Sequence, residues 1–393
     1  MAFFNTQRLV GAWYFSIVFW LDFMASRAKN LKKISFLFGN ILSRYVMRTV
    51  FLSTLLIAGI LSGLYIIFTF IAELGDVGHG TYTLLSALEY VLLGLPNNLY
   101  LIMPIAGLLG ALVGLGLLAS HSELLIMRAA GLSISKISIG VGIAGFLLAL
   151  LTFVFGAFLG PWLQREGAFL KQSAEQGQSF SWSSSTLWLK DGHSFIYIGQ
   201  IDSDGMLENV VKYDLNLNNT ALLQVVRAPK ALYQKDHWIL FQPEITTESQ
   251  TKITQKTLDF INWQSTASPA LLSLIASSAE NLTLPGLIHF IRYQIQNGLD
   301  SSAYELKLWR LVFQPVSVLI LMLIALPFVF GPARSKALGW QFGFGLGFGL
   351  IFFFIDRFFG AFSEVYHLSP FIGASLPCLI MLIVLIMGSI KLN

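Results

Sequence analysis

One cysteine stands in 393 residues, Cys378, and it lies inside an apolar run. That excludes a disulfide framework or a paired-thiolate metal site within the chain, and Cys378 reads as a small buried apolar residue. Histidine is equally sparse. The six, at 79, 121, 193, 237, 289 and 367, form no HxxxH or HExxH pair, so no metal site is expected. There is no GxxxxGK[ST] loop and no Gly-Lys pair, which removes the phosphate cradle of an ATPase, and no GxSxG elbow for a hydrolase. Neither catalytic residues nor a cofactor are expected. Charge is scarce too: 12% of residues are charged, against about a quarter in soluble domains. The 25 Lys+Arg and 21 Asp+Glu leave a net +4 that is scattered, which excludes nucleic acid as a partner.

What is abundant is apolar length. Hydrophobic residues make up 55% of the chain, and the mean hydropathy is +0.68, values of an integral membrane protein. A helix needs about 20 apolar residues to cross the hydrocarbon. Stretches 45–74, 99–119, 137–163, 308–330, 338–362 and 370–390 meet that length, and they divide as three plus three. The expected fold is six transmembrane α-helices with an inserted all-β, jellyroll-like domain. Its units are an N-terminal extension 1–40, spans one to three in 41–164, a β domain 165–280, a short helix and linker 281–302, and spans four to six in 303–393.

The β assignment of the polar island rests on turn signals at Asp191-Gly192, Asp204-Gly205, Asn218-Asn219 and Lys235-Asp236, between short runs rich in Ile, Val, Tyr, Trp and Leu. In VVKYDLNL, Val211, Tyr213, Leu215 and Leu217 alternate with Lys212, Asp214 and Asn216, giving one dry and one wet face. FIYIGQI differs. Phe195, Tyr197 and Ile201 point one way and Ile196 and Ile198 the other, and HWILF around Trp238 is also apolar on both faces. Two readings stand: strands buried between two layers, or an interior groove for acyl chains lined by Phe195, Ile196, Tyr197, Ile198 and Trp238.

Lys and Arg collect on the cytoplasmic side of short loops. Arg44, Arg48, Arg128, Lys136, Arg334, Lys336 and Lys391 mark one side, whereas Gly75 to Asn98 holds no Lys or Arg. Both termini are expected in the cytoplasm and the β domain outside, in the periplasm of a bacterium. The apolar run Leu9 to Trp20, followed by SRAKNLKK, is too short to span and reads as an interfacial helix; a start at Met24 or Met47 would omit it.

The middles of the spans carry no ionisable residue, so ion coupling lacks its usual mid-membrane groups. Glycine is what they offer. Gly339, Gly343 and Gly347 recur every four residues, as do Gly59 and Gly63 in span one and Gly110 and Gly114 in span two. Such stripes let helices approach closely, within one chain or between chains; Gly59, Gly63, Gly339, Gly343 and Gly347 are assigned to a subunit interface. Lys307, Arg310 and Arg357 break the positive-inside trend. They read either as snorkelling side chains or as contacts to lipid phosphate at the outer leaflet. Between spans two and three, SELLIMRAAG reads as a short helix that rests on the bilayer or docks into a soluble partner, with Ser122, Glu123, Leu124, Met127 and Arg128 as its contact residues. A transport bundle with no motor of its own must borrow one. An ion-coupled lipid flippase and a non-transporting scaffold for the β domain are the alternatives.

The stretches GLLGALVGLGLLASHSELLIMRAAG (107–131), LWLKDGHSFIYIG (187–199), FQPVSVLILMLIALPFVFGPARS (313–335), IDRFFG (355–360) and SPFIGASLP (369–377) resemble, in order, the lipopolysaccharide-export permease family LptF/LptG, nearer its G-type branch. The resemblance implies an ABC-transporter permease subunit of the inner membrane that pairs with an LptF-type sibling and an LptB-type cytoplasmic ATPase dimer. It also implies that lipopolysaccharide enters between spans one and five from the outer leaflet and passes to LptC- and LptA-type bridge proteins. By the same resemblance, residues 121–131 are the coupling helix, and Glu123 is the acidic residue facing the ATPase. One departure stands out. Where G-type members often carry lysines at the outer end of span one, this chain has Thr69, Glu73, Gly75 and Asp76.

Overall fold

The computed structural model describes residues 41–390 except 177–186, 203–204, 217–220, 235–236, 250–251, 266–267, 270, 273–280 and 331–337. The N-terminal extension, and with it the expected interfacial helix, lies outside the described residues. Helices α1 (Ile41–Glu73), α2 (Leu84–Ser120), α3 (Glu123–Ala129), α4 (Ile134–Val154) and α5 (Gly160–Gln176) precede eight strands. Helices α6 (Leu284–Gln296), α7 (Ser302–Phe330), α8 (Leu338–Val365) and α9 (Pro370–Ile390) follow them. Among the described residues, six helices are long and apolar enough to cross a membrane: α1, α2, the continuous α4–α5 unit, α7, α8 and α9.

Two spans run beyond their sequence-expected ends. Helix α2 begins at Leu84 and passes through Pro96, ahead of the expected start at residue 99. Opposite it, Pro161 removes a backbone donor from the third span, and the ladder widens to a π turn over Phe155–Leu159 before resuming as α5. Close contact holds these two irregular segments together: Gly156 lies against the Tyr100 ring and Gly160 against Asn97, with no room for a Cβ at either. Helix α5 is then polar and continues to Gln176, so residues 165–176, assigned above to the β domain, are helix. Its composition matches a domain, but its backbone is the emergent end of a span.

The strands are β1 (Leu187–Asp191), β2 (Ser194–Ile201), β3 (Leu207–Leu215), β4 (Leu222–Gln234), β5 (His237–Phe241), β6 (Glu244–Ser249), β7 (Lys252–Thr257) and β8 (Phe260–Trp263). They form one antiparallel sheet in the order β1-β2-β3-β4-β5-β8. The 13-residue β4 carries a branch: its Lys230–Gln234 end pairs with β5, while Gln224–Arg227 pairs with β6, which pairs with β7. Asp191-Gly192 closes the β1–β2 hairpin with Gly192 at φ 61°; the other three turn signals fall wholly or partly outside the described residues.

Alternation along the sheet changes parity. On β3 the buried positions step from Leu207 to Val210, and on β4 from Ala228 to Ala231, directly opposite one another. Asn209, between the first pair, sits at φ 54°. One core is thereby filled by even-numbered residues of β4 on one side of this corner and odd-numbered ones on the other, the geometry of strands that bend between layers. Leu187, Leu189, Ile196, Ile198, Trp238 and Trp263 enter that core. It is continuous with α6 and with Tyr100 and Leu311 of α2 and α7. The Tyr293 hydroxyl fastens the junction, accepting from Lys190 N–H (3.1 Å) and donating to Lys190 C=O (2.8 Å).

Candidate functional site

The expected contact residues of the short helix divide. Helix α3 begins after Ser122, whose backbone is left-handed at φ 61° without a side-chain cap. Leu124 and Met127, one turn apart, are buried in the bundle core. Leu125 and Ile126 are the exposed pair, at 52% and 65%. Ser122 and Arg128 are exposed, and Glu123 is half-buried beside the Tyr45 hydroxyl. Leu124 and Met127 therefore anchor the helix, and the apolar surface it offers is Leu125–Ile126. Four consecutive apolar residues hid this in the sequence. Together with Arg128, Leu125 borders a notch closed by Val329 and Phe330 at the end of α7.

The glycines also divide by face. Gly110 and Gly114 of α2 lie against Thr54, Ser53 and Val50 of α1, and Gly345 and Gly349 of α8 lie against Leu109, Leu112 and Ile105 of α2. A Cβ at Gly59, Gly63, Gly339, Gly343 or Gly347 would meet nothing within 4 Å. The two open stripes belong to the two least buried spans: 17% of the apolar window is buried in each of α1 and α8, against 72% in α2.

Of the three basic residues, two converge. Arg310 donates to the Asp356 carbonyl (3.1 Å) and lies 3.7 Å from its carboxylate. Arg357 sits over the Phe353 ring at 5.4 Å. Both line a small recess between α2, α7 and α8, with Tyr100, Gln314 and Asp356. The buried Nε of Arg310 has no hydrogen-bond partner among the described residues. Gly360 makes room for the guanidinium, since a Cβ there would collide with it. Lys307 turns elsewhere, toward the Leu282 carbonyl at 3.3 Å. Sequence reasoning missed Asp356 as the group that orients Arg310.

The five groove residues do not share a surface. Ile196, Ile198 and Trp238 are at most 1% exposed in the β core. Phe195 and Tyr197 point to the opposite face of β2. There Tyr197 and Tyr213 pack with Trp188, at 5.3 and 5.9 Å between centroids. From Val210 to Asp214 the expected alternation is present with its sense reversed: Lys212 and Asp214, ion-paired at 2.8 Å, share the side of buried Ile196 and Val226. Period two fixes which residues go together, not which set faces the core.

A polar cluster the sequence reading did not assemble joins the β-domain ends of α1 and α5. Lys171 Nζ donates to Glu73 Oε2 and Asp76 Oδ2, both at 2.7 Å, and Tyr82 donates to Glu73 (3.1 Å). The Lys171 ammonium, hydrogen-bonded to Asp76 in the loop after α1, holds that carboxyl below the usual carboxylate range. Glu73 and Asp76 were visible in sequence as the departure at span one; Lys171 is 98 residues away from Glu73. No cluster of potential metal ligands occurs among the described residues.

Among the described residues, six spans, a short helix packed at one end and an inserted β domain rooted in the other define a polytopic membrane protein with an extramembrane domain. The chain belongs to the lipopolysaccharide export system permease LptF/LptG family, whose pattern it matches over residues 44–391. It is 34% identical to lipopolysaccharide export system permease protein LptG of Escherichia coli (strain K12) over 341 residues, 86% of this chain and 94% of that protein. LptG of Haemophilus influenzae is 31% identical over 348 residues, covering 88% and 97%. LptF of Escherichia coli (strain K12) is 27% identical over 164 residues, covering 41% and 45%.

Proposed function

We propose that the chain is the G-type permease subunit of a lipopolysaccharide exporter of the bacterial inner membrane. The observation that carries this reading is the unbroken family match across all six spans, α3 and the β domain. The finer assignments are part of the same proposal, and the charge distribution and the geometry support them. With the Lys/Arg-bearing side in the cytoplasm, α3 presents Leu125, Ile126 and Arg128 to a separate ATPase of LptB type. The β domain stands in the periplasm, toward LptC- and LptA-type bridge proteins. The open glycine stripes of α1 and α8 meet an LptF-type sibling, and the lipid enters between the two permeases. Arg310 and Arg357 meet its phosphates at the outer leaflet, and Asp356 fixes the guanidinium of the first.

Withdrawing an acyl chain from a bilayer costs about 0.8 kcal/mol per methylene, so several chains together need an external energy source. In this chain α3 transmits the motion: its buried Leu124 and Met127 set it into the bundle core, against α2, and its displacement by ATPase closure narrows the space beside α1 and α8.

The test is release of lipopolysaccharide from proteoliposomes holding this chain with an LptF-type permease and the ATPase. Release is expected to require all three and ATP. Release by this chain alone under an ion gradient would replace the reading with an ion-coupled flippase, and a complex that assembles but never releases lipid would replace it with a scaffold.

A further inference from the structure

We infer that Lys171 is a positioning residue of the lipid path, clamping the β-domain end of α1 to α5. This rests on the proposed reading that α1 borders the path.

Helix α1 is held unevenly. Its buried residues are Ser43, Val46, Val50, Thr54, Ile57, Ala58 and Ser62, and none follows in the remaining 11 residues to Glu73. Between helices in lipid there is no hydrophobic drive, so a segment without close packing needs polar fastening. That fastening is concentrated at one ammonium. Lys171, its side chain 22% exposed, holds Glu73 and Asp76 at 2.7 Å and lies 3.9 Å from Glu175. The rings of Tyr82 and Tyr90 flank it at 5.8 and 5.3 Å, which limits water and strengthens the charge contacts.

The backbone completes the strap. Thr81 donates both its N–H (2.6 Å) and its hydroxyl (3.0 Å) to the Ala174 carbonyl. Gly80, at φ +56°, lets the loop lie on the Ala174 and Glu175 carbonyls where a Cβ would collide. Lys171 thus reads as an internal clamp: its short contacts go to residues of α1 and the loop after it. With α5 continuous with α4, movement of the third span is passed to the far end of α1.

The test uses the full complex with partner permease and ATPase. Lys171→Met is expected to assemble and to hydrolyse ATP while ATP-dependent lipid release falls about tenfold, the scale set by lost charge-assisted hydrogen bonds. Lys171→Arg restores most of it. In the Lys171→Met background, Thr81→Cys with Ala174→Cys replaces the lost clamp with a covalent one; oxidation should restore release and reduction lower it again. The buried Cys378 is not expected to compete. If Lys171→Met releases lipid as wild type does, or if the closed disulfide restores nothing, the clamp is overturned. The disulfide arm also decides the case in which Lys171→Met assembles poorly. Absence of release from the wild-type complex would instead count against the export reading itself.

Discussion

Helices α2 and α8 are both glycine-bearing apolar spans, yet 72% of the apolar window of the first is buried and 17% of the second. Composition does not separate them; the facing of their glycines does. In α2, Gly107, Gly110 and Gly114 lie against side chains or backbone of α7 and α1. In α8, Gly345 and Gly349 pack inward on α2, while Gly339, Gly343 and Gly347 open outward. One stripe packs within the chain and the other faces outward, unpacked by the described residues. Since lipid and leucine are equally apolar, close backbone approach is what distinguishes an intended contact from a lipid-facing surface.

The sharpest break of this comparison is Gly110→Leu. A Cβ there already meets the Thr54 backbone, so the larger side chain is expected to part α1 from α2 at a cost of about 3 kcal/mol or more. Thermal unfolding of the detergent-solubilised chain would read it. Gly343→Leu is the counterpart, expected to leave the melting of the isolated chain unchanged and to abolish capture of an LptF-type permease. Equal melting losses for the two variants would erase the distinction.

The same inside–outside contrast applies to α3. Leu124→Ala removes a side chain that is 4% exposed and should cost about 2–4 kcal/mol of stability. Ile126→Asp on the exposed side should leave stability alone and release the ATPase, read by co-purification. A smaller effect is expected where the β domain joins the bundle. Tyr293→Phe deletes both bonds to Lys190, a loss of about 1–2 kcal/mol. It should appear as faster amide exchange in β1, with the spans unaffected.

What was legible in the sequence follows from period and length. The spans were legible because hydrocarbon thickness sets a minimum run, and the β island because turn residues punctuate it. Asp191-Gly192 marked its hairpin for the same reason. Facing was not legible. Leu124 to Met127 are all apolar, so no polar residue tells the buried turn from the exposed one. On β3, Val210 and Val211 are equally apolar, and only the corner at Asn209 decides which side is core. The α5 extension was hidden because an amphipathic helix leaving a bilayer has the composition of a soluble domain. Lys171 was hidden because its partners are brought to it by the α1–α2 loop folding onto the third span.

The smallest expected effect concerns that last cluster. Asp76 carries a pKa below its usual value because Lys171 donates to it. A depressed carboxylate contributes stability above its unfolded pKa, about 4, and the contribution fades as pH falls through the folded value. Between neutrality and about pH 5 the clamp should therefore be unchanged, and it should loosen only in more acidic solution. Because Asp76 is part exposed, solvent screens most of the gain. The measurement is the difference in melting temperature between wild type and Asp76→Asn across that range: small and constant near neutrality, closing toward zero as the wild-type carboxyl takes up its proton. Other carboxylates titrate in both proteins and cancel in the difference. A gap that persists unchanged in acid would mean that Asp76 contributes by shape rather than by charge, and the clamp would then rest on Glu73, whose Oε2 also accepts from Tyr82.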